Sequence, residues 1–114
     1  MPMTAEEARE LALAFDDASE APHFDRTAFR TPRRIFATLA RDGSDMNLML
    51  DRDLQEFYCE QAPDAFAPVP GGWGQKGATR CVLSAADRQT FRGALTAAYD
   101  RANQSLSQAP RKRK

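Results

Sequence analysis

The hydrophobic period changes near residue 26, and this change constrains the fold more than any other feature of the chain. Before it, Ala8, Leu11, Ala12 and Phe15 recur at the spacing of one helix face. After it, residues 27–50 form short apolar runs separated by turn residues, as β-strands do. A helix followed by strands within 114 residues predicts a single α+β domain.

Three strands are predicted between residues 27 and 50. Residues 31–33 and 42–45 are rich in turn formers, so the three strands should form an antiparallel meander. A fourth strand is predicted after a long turn-rich loop at residues 63–77, which has Trp73 at its centre. The predicted strands are Ala28–Arg30, Arg34–Leu39, Met46–Leu50 and Ala78–Leu83.

Three helices are predicted from capping signals. Thr4 and Glu7 form a capping box that opens a helix over residues 4–18. Asp51 caps a second helix that runs to about Ala62. Ser84, followed three residues later by an acidic residue, opens the third helix in an approximate capping box.

The resulting order is α-β-β-β-α-β-α, with the helices packed on one face of an antiparallel sheet. Residues 1–103 form the domain, and residues 104–114 form a disordered basic tail that ends in four consecutive basic residues.

The compartment is predicted to be the cytoplasm. The N-terminus lacks the basic start and apolar stretch of a secretory signal, and no apolar run is long enough to span a membrane. Cys59 and Cys81 should therefore be free thiols packed in the core, and their spacing does not suggest a zinc site. No metal or other cofactor is predicted.

The net charge of zero conceals strong segregation along the chain. Residues 1–25 and residues 42–64 each carry a net charge of −6. Residues 26–41 carry +5, and residues 65–114 carry +7. Zero net charge therefore does not exclude a polyanionic partner such as DNA.

The basic segments suggest a phosphate-binding surface on the sheet. Arginines flank the first strand turn, and further basic residues flank the fourth strand, where Trp73 could stack on bases. The alternatives are that helix acids pair with these arginines inside the monomer and that Trp73 is a packing anchor. The predicted nucleic-acid-binding residues are Arg30, Arg33, Arg34, Trp73, Lys76 and Arg80.

Three segments, taken in order and spacing, resemble the MmcQ/YjbR family. They are Pro22-His23-Phe24 with the two strands that follow, Asn47-Leu48-Met49-Leu50-Asp51 before a helix, and Trp73-Gly74-Gln75-Lys76-Gly77 before a strand. The resemblance covers residues 5–102 and implies a frataxin-like α+β fold. It also implies DNA binding through a "double-wing" motif, and no reaction is assigned to the family.

Catalytic chemistry has little support in the sequence. His23 is the only histidine, and no Ser, Cys or Asp stands at a spacing diagnostic of a catalytic triad. Because His23 belongs to the family-like motif, it is kept as a position of unknown role; a hydrogen bond to the backbone is the simpler interpretation. The predicted function is therefore non-enzymatic DNA binding, and the alternative is a protein-interaction module that uses the sheet face or the Trp73 loop.

Overall fold

The protein is built on one six-stranded antiparallel sheet, which a computed structural model describes within residues 3–104. The strands are β1 Ser19–His23, β2 Arg26–Arg30, β3 Ile35–Ala40, β4 Asp45–Met49, β5 Phe66–Pro68 and β6 Ala78–Val82. The helices are α1 Ala5–Leu13, α2 Arg52–Gln61, α3 Gly72–Gln75 and α4 Arg88–Asn103, with a 3₁₀ turn at Leu83–Ala85.

The sheet has the strand order β1-β2-β3-β4-β6-β5, and all its neighbours pair antiparallel. The predicted meander is confirmed, because β2, β3 and β4 pair in sequence order. The α+β class and the single antiparallel sheet are confirmed as well. None of the helices described within residues 3–104 has the length and apolar character needed to cross a bilayer.

Three elements escaped the sequence prediction, namely β1, β5 and α3. Four of the five residues of β1 are exposed, so this edge strand carries no alternating hydrophobic signal. Its Pro22 is tolerated because an edge strand leaves one row of backbone groups unpaired. The other two elements span three and four residues inside the stretch predicted as loop.

Two helix boundaries differ from the prediction. The first helix ends at Leu13 rather than residue 18, and Asp17 follows with a positive φ of 61° that no helix accommodates. Ser84 lies in the 3₁₀ turn, and the cap of α4 is Asp87, whose carboxylate accepts hydrogen bonds from two backbone N–H groups. The caps predicted at Thr4 and Asp51 are confirmed. The predicted basic tail lies outside the described residues apart from Gln104.

The core lies between the sheet and the helices on one of its faces. A bulge in β3 leaves Phe36 without a partner on β2, so that Phe36 and Ala37 are both buried. The ring of Phe36 meets those of Phe15 and Tyr99 edge to face, and these two rings stack 4.2 Å apart. With the helices on this face, the other face of the sheet stays open.

Replacing Phe36 by alanine should lower the free energy of unfolding by about 3–5 kcal/mol, because it leaves a cavity within the aromatic cluster. Ile35→Ala is the matched control. Ile35 is the adjacent residue and is only partly buried, so its loss should be about 1 kcal/mol. Urea unfolding of both variants measures the difference, and equal losses would contradict the assignment of the two faces.

Candidate functional site

The open face of the sheet forms the floor of a cleft of about 710 Å³. Ile35, Thr38 and Asn47, on the central strands, line it. The turn that joins β1 to β2 borders it on one side, and the loop that leads into β6 borders it on the other. These two connections belong to strands at opposite edges of the sheet and lie near opposite ends of the strands, so the cleft extends diagonally across the sheet.

Folding brings the two basic segments of the chain together in this cleft. Arg26, Arg30 and Arg34 come from the first segment, and Lys76 and Arg101 come from the second. Of the residues predicted to bind nucleic acid, Arg30, Arg34, Trp73 and Lys76 line the cleft, as does His23.

The other two predicted residues, Arg33 and Arg80, do not line the cleft. Thr31 shapes the turn before β3, because its buried hydroxyl accepts hydrogen bonds from the backbone N–H groups of Arg33 and Arg34. Of these two neighbours, only Arg34 lines the cleft. Arg80 is held by a carboxylate instead.

Asp45 binds two arginines from different strands. One carboxylate oxygen accepts a hydrogen bond from Arg26 at 2.8 Å, and the other accepts one from Arg80 at 3.1 Å. Arg26 also donates to the hydroxyl and the backbone carbonyl of Thr38. Because its guanidinium is satisfied by these partners, Arg26 contributes to the structure of the cleft more than to its free charge.

The remaining basic residues of the cleft keep their charge available. Within residues 3–104, no ion pair involves Arg30, Arg34, Lys76 or Arg101. In that same part of the chain, no ion pair joins an acid of α1 or α2 to an arginine of β2 or of the turn that follows it. Within these residues the acidic helices therefore do not neutralise Arg30 or Arg34. The tail arginines that the internal-pairing alternative also included lie outside the described residues, and Arg88 of α4 does pair with Glu7 of α1.

Trp73 is presented to solvent by a tightly built loop. Its side chain is 69% exposed, so Trp73 does not serve as a packing anchor. Gly77 has φ +117°, and a Cβ there would collide with the Leu50 carbonyl oxygen. The buried side-chain amide of Gln55 donates hydrogen bonds to the carbonyls of Gly74 and Ala78, at 2.8 and 3.0 Å. A rigid support thus holds an exposed indole at the rim of the cleft.

Phe24 projects from the opposite rim. It occupies the two-residue turn between β1 and β2, has φ +58° and is 95% exposed. The rings of Phe24 and His23 meet at 4.8 Å. Among the described residues, the His23 imidazole has no hydrogen-bonding partner, so the simple interpretation of a backbone-bonded histidine finds no contact to support it.

Among the charged, polar and aromatic residues that line the cleft, the sequence prediction missed Phe24, Asp25, Arg26, Thr38, Asn47 and Arg101, of which Asp25 is the one acid. For Phe24, its place in the family-like motif beside His23 was the available signal. Arg101 lies in the last turn of α4 and donates to the carbonyl of Met49, a contact 52 positions apart in sequence. A contact between residues so far apart in the chain cannot be predicted from a local sequence pattern.

The thiols lack the features of an activated nucleophile. Both cysteines are free, and Cys81 is buried whereas Cys59 is partly buried. Burial, with a smaller effect from the Asp45 carboxylate, raises the pKa of the Cys81 thiol to about 12. Burial also raises the pKa of Cys59. A nucleophilic cysteine needs the opposite shift.

The comparisons with known proteins agree with the architecture. A family model described as YjbR matches residues 13–101. A crystal structure of a Deinococcus radiodurans protein assigned to DUF419, which is the same family, is similar with a TM-score of 0.70 and 15% sequence identity. That similarity covers 98% of this chain and 83% of the other, and at this identity it concerns the fold alone. No curated protein matches the chain.

Replacing Gln55 by alanine should lower the free energy of unfolding by about 1–3 kcal/mol, since two buried hydrogen bonds are lost, although the carbonyls of Gly74 and Ala78 keep their backbone donors. The Trp73 loop should loosen as well. Urea unfolding measures the first effect, and fluorescence anisotropy of Trp73 measures the second. The control is Gln75→Ala, which truncates an exposed side chain of the same type and should leave both unchanged; equal effects of the two changes would contradict the anchoring role.

Alkaline pH should destabilise the fold partly through Cys81. Its folded pKa of about 12 lies above the ordinary value of 9.0, so the unfolded chain loses this proton first as pH rises. Between about pH 8 and about pH 10 this thiol alone should cost about 1.4 kcal/mol of stability. Urea unfolding of Cys81→Ala should show a correspondingly smaller loss over that interval. Cys59→Ala is the comparison, and it should reduce the loss less because the pKa of its partly buried thiol is raised less. Identical pH dependence in the protein and in Cys81→Ala would refute this assignment.

Proposed function

The chain belongs to the YjbR family, and from that premise we propose that it binds DNA in the cytoplasm through the basic cleft, without catalysing a reaction. The observation that supports this proposal most is the convergence, on one open sheet face, of basic side chains from two distant segments that form no ion pair within residues 3–104. The acids of the protein lie mainly on and around α1 and α2.

The basic groups suit phosphate. Arg30 and Arg34 carry planar guanidinium groups that can bind a phosphate through two parallel hydrogen bonds. Lys76 adds an ammonium group on the other side of the cleft. The phosphate backbone of DNA passes such groups in series, and each contact releases bound counterions.

The double-wing motif of the family has a counterpart in this proposal. The wings would be the β1–β2 hairpin, with Phe24 at its tip, and the loop that carries Trp73. Both border the cleft from opposite edges of the sheet. A frataxin-like sheet, covered by helices on one face only, leaves the other face available for such a ligand.

A protein-interaction module is the second candidate. The exposed rings of Phe24 and Trp73 would also fit apolar side chains of a protein partner. The two functions differ in salt dependence, because phosphate contacts weaken steeply as salt rises whereas apolar contacts do not. A tight protein complex that survives high salt and nuclease treatment would favour this second candidate.

DNA affinity should fall about 20- to 150-fold between about 50 and about 200 mM salt, as expected for three to four phosphate contacts on single-stranded or duplex DNA. Fluorescence anisotropy of a labelled oligonucleotide measures it. Arg30→Gln/Arg34→Gln should weaken binding at least about tenfold and reduce the salt slope by about 1.4–1.8.

The matched control is Arg33→Gln/Arg92→Gln. It removes the same charge from two arginines that do not line the cleft, and it should retain most of the affinity. Equal effects of the two double variants would place the binding site elsewhere. Absence of any DNA binding at low salt, or a DNA affinity that does not depend on salt concentration, would refute the proposed function.

A further inference from the structure

We propose that the ligand of the cleft is single-stranded rather than duplex DNA, with unpaired bases stacked on Trp73 and Phe24. This inference rests on the proposed function and specifies its substrate class. It starts from two aromatic side chains that the fold leaves in water at the rim of a basic cleft.

The fold gains little burial free energy from the side chains of Phe24 and Trp73, because both are largely exposed. Most phenylalanines of the described chain are buried or packed against the core, yet Phe24 is almost fully exposed. It also adopts a positive φ, a conformation that costs a bulky residue of order 1–3 kcal/mol. Strain of this kind persists most often at binding sites, where the side chain is used by a ligand.

The two rings lie too far apart to enclose one base. The hairpin that carries Phe24 continues into β2, and the loop that carries Trp73 leads into β6. Two strands, β3 and β4, lie between β2 and β6, so three interstrand spacings separate these two strands by about 14 Å. The two connections also lie near opposite ends of the strands, because Arg26 pairs with Ala40 whereas Ala78 pairs with Met49, and this separates the rings further. The rings therefore form two stacking points, one at each end of the cleft, for two bases of one strand with further nucleotides between them.

The groups between the rings fit the rest of a nucleotide strand. The Lys76 ammonium lies 6.0 Å from the centre of the Trp73 ring, so a site for phosphate adjoins a site for a base. Arg30 and Arg34 provide further phosphate contacts in the same cleft. Asn47 lines the floor, and its side-chain amide makes no hydrogen bond to the other described residues, which leaves a donor and an acceptor for a base edge.

A duplex could use the basic side chains but not the rings. In a duplex the faces of the bases are covered by their neighbours in the stack, and only base edges and phosphates are accessible. In a single strand the faces are free to stack on exposed aromatic side chains, which stabilises binding for any base. Exposed rings combined with unpaired cations thus favour an unpaired strand.

Trp73 reports directly on the proposed contact, because it is the only tryptophan of the chain. Titration with a thymine oligonucleotide of about ten bases should quench its fluorescence. A strand of the same length with abasic positions, which keeps the phosphates, should bind at least about tenfold more weakly and leave the fluorescence unchanged. A duplex of the same length should also bind at least about tenfold more weakly than the single strand.

Phe24→Ala should weaken single-strand binding about 5- to 150-fold and leave binding of the abasic strand unchanged. Phe24→Tyr, which keeps an aromatic ring at this position, should retain the single-strand affinity of the unaltered protein. Phe57→Ala is the matched control, since Phe57 is also exposed but does not line the cleft. The affinity of this variant for the single strand should equal that of the unaltered protein. Because Phe24 lies almost wholly in solvent, its truncation should not unfold the protein, and urea unfolding verifies this.

Each result separates this inference from the proposed function. Salt-dependent DNA binding without quenching, equal for single strand and duplex, would overturn the inference and leave the proposed function intact. Equal loss for the intact and abasic strands in Phe24→Ala would overturn the stacking role, and a tenfold preference for the matching RNA would overturn the assignment to DNA. Absence of all DNA binding would overturn both proposals.

Discussion

Packing of the helices on a single face of the sheet is the constraint on which the rest of this molecule depends. The contact of α4 with β3 and β4 buries the Phe36 cluster and commits the apolar side chains of these strands to one side. The bulge in β3 reinforces this commitment, because it adds Phe36 to the buried side without displacing Ala37. The side chains on the opposite face must then find partners among themselves, in water or in a ligand.

Some polar side chains of the open face form hydrogen bonds and ion pairs with one another. Asp45 joins β2 and β6 through two arginines, and Thr38 accepts from one of them between the two strands. This network stabilises a polar sheet surface without a second helical layer. The network binds Arg26 in the cleft and Arg80 outside it. Within residues 3–104, the remaining basic side chains of the cleft form no ion pair. The two classes of arginine therefore differ in role although they belong to the same segments of sequence.

The fold was predictable wherever local chemistry and burial agree. Thr4 and Asp51 cap helices because their side-chain oxygens accept backbone hydrogen bonds, and this signal depends only on neighbouring residues. β1 was missed because an exposed edge strand takes its stability from pairing with β2 and not from its own pattern. The cap predicted at Ser84 was wrong because a 3₁₀ turn at Leu83–Ala85 precedes α4, whose N-cap is Asp87. The site was predictable in part, since Arg30 and Arg34 flank a visible turn, whereas Arg101 reaches the cleft only through tertiary packing.

Basic side chains are concentrated in the cleft although the chain as a whole has zero net charge. The acids of α1 and α2 lie in the helical layer, while the cleft on the opposite face gathers cations from two segments separated in sequence by an acidic one. The strand order produces this separation, because β6 pairs beside β4 and places Lys76 across the same face from Arg34. Five basic side chains and one acid, Asp25, line the cleft, so its local charge differs from the zero net charge of the chain. Net charge over the whole chain therefore does not describe the cleft, because a local excess of cations acts on an anionic group at short range whatever the total charge is.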